Sequence, residues 1–330
     1  MEYRFLGDTG VRVSELCLGT MPFGGAADER ESKAIFDTAR ERGVNFFDTA
    51  NVYNQGESER LLGRFIQPCR DEVVIATKAY FPIGEGPNQR GSSRYHLVRS
   101  VEDSLKRLNT DRIDVFYLHR FDERTGLQET MRATEHLVES GKVLYLAASN
   151  FAAWQVMKAQ GICARKGWSP LVALQPMYNL AKRQAEVEIL PMAESEGLGA
   201  CPYSPLGGGL LTGKYGIDKR PPKGRLVDNE MYQTRYGEDA YYEIAQRFND
   251  KSQALGIHPV SLAIAWVSSH PAVTAPIIGG RNVEQLEPAF DSVEVPMDEA
   301  LREEISALSP RPAPATDRAE ERTKTTYGSR

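Results

Sequence analysis

Cysteine is scarce. There are four in 330 residues, Cys17, Cys69, Cys163 and Cys201, far apart and never in a Cys-x-x-Cys pair. That spacing excludes a disulfide scaffold and a structural zinc site, and it fits a reducing cytosol. Long apolar runs are missing too. None approaches the ~18 residues a membrane span needs, and Met1-Glu2-Tyr3-Arg4 lacks a signal-peptide pattern. A soluble, cytoplasmic protein without a membrane partner or a metal is expected. No basic block occurs and the formal net charge is −5, which argues against nucleic acid as a partner. Also absent is Gly-x-Gly-x-x-Gly after the first strand, the mark of a doubly wound dinucleotide-binding sheet. Gly207-Gly208-Gly209 comes late in the chain and does not match a phosphate-cradling loop.

What is present is alternation. After a turn-rich opening (Gly7 to Gly10) between two short apolar stretches, read as a hairpin of 3–5 and 11–13, apolar strand patterns begin near Leu16, Phe46, Val73, Ile113, Val143, Leu171, Gly199 and Val273. Most are separated by roughly 30 residues, one strand–helix unit each. Helical spacing fills the gaps at 28–41, 57–65, 94–108, 127–140, 152–166, 184–196 and 260–269, with Pro259 near the start of the last. Eight strands alternating with helices predict a (β/α)8 barrel. It carries a short N-terminal hairpin and a long connection, 205–238, after the seventh barrel strand. A single domain over 1–308 is expected. Residues 309–330 hold prolines and charges but few large apolar residues, which predicts a flexible tail.

Three strand patterns end on ionisable residues. Asn45 to Phe47 runs into Asp48, Val73 to Thr77 into Lys78, and Ile113 to Leu118 into His119; Tyr53 lies on the loop just past Asp48. In a parallel barrel, residues at the carboxyl ends of successive strands converge on one face. A tyrosine is a poor proton donor at neutral pH, with an ordinary pKa of about 10, unless a nearby cation favours its phenolate. Lys78 is the candidate cation.

The run Gly43…Asp48-Thr49-Ala50…Tyr53…Glu57…Leu62-Gly63 resembles the signature of the aldo-keto reductase superfamily, which includes bacterial NADP-dependent enzymes and potassium-channel β subunits. The resemblance continues through Ser149-Asn150, Gln175-Pro176, Tyr203 to Leu206 and Ile278 to Arg281, so it spans most of the chain. It implies an oxidoreductase that moves a hydride between NADPH and an aldehyde or ketone, a sugar or another small carbonyl compound, or runs the reverse oxidation. Tyr53 would be the general acid, Lys78 its tuning cation, Asp48 the partner of Lys78, and His119 a hydrogen-bonding group for the substrate oxygen. The alternative it implies is a cofactor-binding regulatory subunit.

The resemblance also implies the cofactor contacts. Gly19 and Thr20 follow the first barrel strand. Ser149, Asn150 and Gln175 would grip the nicotinamide carboxamide, and Tyr203 would stack on its ring. Ser204, Pro205, Leu206, Leu211 and Lys214 belong to the segment covering the pyrophosphate. Gly279, Gly280, Arg281 and Gln285 would meet the adenosine end. Arginine beside a helix N-terminus suits a 2′-phosphate, so NADPH is expected over NADH. One departure stands out: where the family often has a Glu-Asn pair against the adenine, this chain has Pro288-Ala289, with Glu284 nearby. Met21, Phe23, Tyr80, Phe81 and Arg120 follow strand ends and are candidates for a substrate pocket. Arg120 reads either as an anion-binding group or as a salt-bridge partner of Asp122 or Glu123. The pattern leaves the oligomeric state open, a homo-oligomer included.

Overall fold

The chain is seen in a computed structural model that describes residues 1–318 and 320. Strands β1 (Tyr3–Phe5) and β2 (Arg12–Ser14) form an antiparallel hairpin in which Tyr3 faces Ser14. Eight parallel strands follow: β3 (Cys17–Gly19), β4 (Phe46–Asp48), β5 (Val74–Ala79), β6 (Ile113–Leu118), β7 (Val143–Ser149), β8 (Leu171–Gln175), β9 (Gly199–Ala200) and β10 (Ile277–Ile278). Their order is β10-β3-β4-β5-β6-β7-β8-β9. The outer strands of that order meet as well, since Val273 bridges Ala200 and the Ile277 amide donates to the Pro202 carbonyl at 2.8 Å. The result is an α/β protein with a curled eight-stranded parallel sheet, the arrangement a (β/α)8 barrel requires.

Twelve α-helices occur among the described residues: α1 (Glu29–Glu41), α2 (Glu57–Ile66), α3 (Arg94–Leu108), α4 (Leu127–Glu139), α5 (Ala153–Lys166), α6 (Ile189–Ser195), α7 (Arg225–Asp228), α8 (Glu230–Tyr236), α9 (Asp239–Leu255), α10 (Pro259–Ser268), α11 (Val283–Phe290) and α12 (Glu299–Ser306). Local chemistry sets several ends. The Asp28 carboxylate accepts from the Glu31 amide and starts α1. Asn109 adopts the left-handed conformation that closes α3. None of these helices is long and apolar enough to cross a membrane.

Period-two alternation divides the core into two layers. Phe46, Ala76, Val115, Tyr117, Ala147 and Ala173 fill the inside of the curled sheet. Phe47, Ile75, Phe116, Leu146 and Leu174 face outward beneath the helices. The hairpin closes one end: Leu6 and Val13 join the inner layer. Gly7, at positive φ, lies so close to the starts of β8 and β9 that a Cβ there would sit 2.6 Å from the Gly197 carbonyl.

Some elements differ from the sequence reading. The last strand shrinks to two residues because Pro276 has no N–H to give the ladder, which leaves Val273 as an isolated bridge. The expected helix 184–196 breaks into a 3-10 turn and α6, with Pro191 inside the first turn of α6. The connection 205–238 is not structureless. It holds α7 and α8, and Leu210, Tyr215, Leu226, Tyr232 and Tyr236 pack with Tyr242 as a small core of its own. Of the expected tail, Ser309 is buried and its carbonyl accepts from Arg183. Residues 310–318 carry no helix or strand; the rest of the tail, apart from Glu320, lies outside the described residues.

Candidate functional site

Alternation predicts which strand-top side chains share the inner face. Asp48 lies two residues past Phe46, Lys78 two past Ala76, His119 two past Tyr117, Ser149 two past Ala147 and Gln175 two past Ala173. Each therefore sits above an inner-layer residue. All five converge at the carboxyl end of the sheet. Lys78 is wholly buried. Its ammonium donates to Asp48 Oδ1 at 2.5 Å and the Thr49 carbonyl at 2.6 Å, and lies 3.4 Å from the Tyr53 hydroxyl. Gln175 Nε2 donates to the other Asp48 oxygen at 2.9 Å, so that carboxylate is held from two sides.

Tyr53 is placed by its loop. The next two residues, Asn54 and Gln55, both have left-handed backbone (φ 48° and 57°), a conformation that costs energy outside glycine. The Asn54 amide holds the bend, donating to the carbonyls of Met21 at 2.9 Å and Phe23 at 2.7 Å. His119 meets Tyr53 edge to face at 6.0 Å between ring centres and Phe81 at 4.9 Å. Its Nδ1 is buried without a partner.

Burial dominates the electrostatics. It pushes the Tyr53 phenol up from its ordinary value, and the charge of Lys78 acts against that rise without cancelling it. Burial likewise raises the Asp48 carboxyl against the opposing charge of Lys78. For Lys78, burial lowers the ammonium, but Asp48 and then Tyr53 more than restore it, so it stays charged. His119 is lowered well below the usual histidine range by burial and by Lys78, which keeps the imidazole neutral. The floor thus holds a charged ammonium, a protonated phenol and a neutral imidazole around one point.

Above it opens a cleft of about 1040 Å³. Asp48, Tyr53 and His119 line it, as do Gly19, Ser149, Asn150, Gln175, Tyr203, Ser204, Pro205, Leu206, Lys214, Gly279, Gly280, Arg281 and Gln285. Tyr203 donates to Asn150 Oδ1 at 2.8 Å, and the Asn150 amide donates to the His119 carbonyl at 3.0 Å. Asn150 and Ser204 both have φ of 57°, so left-handed non-glycine residues cluster on this rim. Gly280 is closely packed: a Cβ there would lie 3.1 Å from the Asn282 carbonyl. Asn282 caps α11 by accepting from the Gln285 amide, and Gln285 Oε1 accepts from the Arg281 amide.

Not every candidate reaches the cleft. Phe23 is wholly buried, edge-on to Phe65, because the Gly24–Ala27 hydrogen bond turns its loop inward. Leu211 packs with Tyr178, Leu262 and Trp266 in the helical core. Thr20 is buried behind the floor, its hydroxyl bonded to Ser58 and the Asp48 carbonyl. Tyr80 sits edge-on behind Phe81 and does not line the opening. Met21, Phe81 and Arg120 do line it. The sequence reading missed Lys223, Arg225, Met231, Tyr232, Arg235 and His258, which also line it. Lys223 to Arg235 come from the connection 205–238. Their signal was an apolar spacing (Leu226, Tyr232, Tyr236) interleaved with basic residues.

The aldo/keto reductase family model matches residues 15–309. The chain belongs to this family. This family member is 40% identical to the uncharacterized oxidoreductase YrpG of Bacillus subtilis (strain 168), over 97% of this chain and 99% of the relative. It is 35% identical to a probable voltage-gated potassium channel subunit beta of Arabidopsis thaliana, over 89% of this chain and 92% of the relative. It is also 36% identical to norsolorinic acid reductase of Aspergillus flavus, over 91% and 79% respectively. Family membership and the oxidoreductase relatives make this reductase fold an oxidoreductase by kinship.

Proposed function

We propose that this chain is an NADP(H)-dependent oxidoreductase. It reduces an aldehyde or ketone to an alcohol, or runs the reverse reaction, with residues 1–308 acting as one (β/α)8 domain and Tyr53 as general acid and base. The observation that carries the reading is the Lys78 ammonium, held by Asp48 at 2.5 Å and lying 3.4 Å from the Tyr53 hydroxyl at the floor of the cleft.

The residues fit a nicotinamide dinucleotide. Ser149, Asn150 and Gln175 offer amide-binding groups beside the floor, and Tyr203 offers a ring. Lys214 and Arg281 offer charge for phosphates, with the tight Gly279-Gly280 turn leading into the N-terminus of α11. Arg281 favours the 2′-phosphate and hence NADPH. When bound, the cofactor supplies a hydride to the carbonyl carbon. The protein's part is the proton. Tyr53 gives its phenolic hydrogen to the carbonyl oxygen, and the Lys78 charge stabilises the phenolate left behind. Neutral His119 is a hydrogen-bond donor for the same oxygen and orients it. Asp48, fixed by Gln175, keeps Lys78 in place.

The potassium-channel subunit relatives favour a second reading, in which a bound cofactor serves regulation. Following NADPH absorbance with a panel of aldehydes, ketones and sugars separates the two. Catalytic consumption supports the reductase; tight NADPH binding without turnover supports the regulatory subunit. Tyr53→Phe keeps the ring and loses the transferable proton, so turnover falls about 10²- to 10⁴-fold while NADPH affinity changes little. Full activity in that variant rules out Tyr53 as the acid.

A further inference from the structure

Arg120 follows His119 at the top of β6 and lines the cleft with its side chain exposed. The sequence offered it two partners, Asp122 and Glu123, and it takes neither. The Asp122 carboxylate instead accepts from the Ser92 amide at 2.8 Å, the Arg124 amide at 3.0 Å and the Thr125 hydroxyl at 2.7 Å, which binds it into the loop. Among the described residues Arg120 has no carboxylate within ion-pair distance.

Its place in the ring separates it from Arg281, a group suited to a dinucleotide's phosphates. In the order β10-β3-β4-β5-β6-β7-β8-β9, β6 stands four strands from β10 in either direction. Arg281 lies just past the end of β10, so Arg120 stands across the ring from it. On its own side it neighbours His119, whose ring lies 6.0 Å from Tyr53 and 4.9 Å from Phe81. The cleft's acids do not neutralise it either. Asp48 is committed to Lys78, and Glu284 lies on α11, beyond β10.

We propose that Arg120 determines substrate specificity by binding an anionic group, so that the preferred substrate is a small aldehyde or ketone carrying a carboxylate or phosphate on a short carbon chain. This rests on the reading of Tyr53 as the acid of a carbonyl reductase. A guanidinium pairs with either anion through two parallel N–H bonds, which fixes the direction of the chain as well as its charge. With the anion at Arg120, the carbonyl is presented toward His119 and Tyr53.

The test uses the full chain with NADPH and matched substrates: an aldehyde carboxylate against its methyl ester, and glyceraldehyde phosphate against glyceraldehyde. Wild type is expected to favour at least one anionic member by about tenfold or more in kcat/KM, the size of one charge-assisted hydrogen bond. Arg120→Gln brings that ratio near one, mainly through KM, and Arg120→Lys retains part of it because charge survives without the fork. Whichever pair shows the ratio identifies the anion. Equal kcat/KM within both pairs in wild type, or an unchanged ratio in Arg120→Gln, overturns the proposal. A calorimetric arm separates this from failure of the reductase reading. The alcohols formed when the two anionic aldehydes are reduced, the hydroxy acid and glycerol phosphate, are titrated into NADP-loaded protein, where Arg120→Gln is expected to weaken binding of at least one about tenfold. If no carbonyl consumes NADPH, the reductase reading falls, and equal affinity of the two proteins for both alcohols overturns the role of Arg120 by itself.

Discussion

The floor of the cleft and the segment 205–238 beside it are built on opposite plans. On the floor, Asp48, Lys78 and Gln175 stand on strands, are almost fully buried, and spend their polar groups on one another. In the segment, Lys214, Lys223 and Arg225 are exposed, and a short core of tyrosines holds the backbone in place. Arg225 and Arg235 each lie 5.6 Å from the centre of the Tyr232 ring, which gathers two cations. A buried network has its geometry fixed before any ligand arrives; exposed cations suit a ligand that brings its own negative charge. The floor is therefore the part to disturb for chemistry, and the outer cations are the part to disturb for binding.

Lys78→Met should show the largest effect. It leaves the Asp48 carboxylate buried without its cation, a loss of about 3–5 kcal/mol for a broken buried pair, read as a lower urea midpoint together with lost reductase activity. Adding Asp48→Asn should recover much of the stability and none of the activity. If Lys78→Met alone is as stable as wild type, the floor is not the interlocked unit described.

Arg281→Ala should come next, and it tests the other half of the comparison. The Michaelis constant for NADPH is expected to rise about 10- to 100-fold, the range of a charge-assisted contact. NADH should respond far less and thermal stability hardly at all. Equal rises for the two cofactors would remove Arg281 from the 2′-phosphate.

The smallest effect is the pH dependence of stability set by His119. Its folded pKa lies below the ordinary value of about 6.5, so below that pH the unfolded chain takes up a proton that the folded chain refuses. Stability should therefore fall as pH drops through about 6.5 and continue falling toward the lower folded value. Comparing melting temperatures of wild type and His119→Asn from about pH 7 to 5 isolates this contribution. Parallel curves would mean that the imidazole is not held neutral by its surroundings.

The same contrast explains what could be read from sequence. The floor was legible because strand periodicity is rigid: once Phe46 to Asp48 is a strand, the side chain two residues after a core position must share its face. Asp48, Lys78 and His119 could be named from strand ends, and Tyr53 from the loop that follows Asp48. Phe23 and Leu211 were misplaced because an aromatic or a leucine in a loop turns inward or outward according to contacts far away in sequence. For Phe23 these are Phe65 and the Asn54 amide. Helices α9 and α12 received no assignment. In α9 the buried positions Tyr242, Ala245, Phe248 and Ser252 do keep helical spacing, but Gln246, Arg247, Asn249, Asp250 and Lys251 dilute it. Sequence also missed the balance at Tyr53. Lys78 opposes the rise in its pKa as a neighbouring cation should, yet burial is the larger effect, and burial of a loop residue cannot be counted from the chain.

That balance is best measured directly, by titrating the Tyr53 phenol through its phenolate absorbance, with Tyr53→Phe as the blank. The account predicts a pKa above the ordinary value of about 10 in wild type, and a higher one in Asp48→Asn/Lys78→Met, where the ammonium no longer opposes burial. A phenol that titrates at the same pH with and without Lys78 would contradict it.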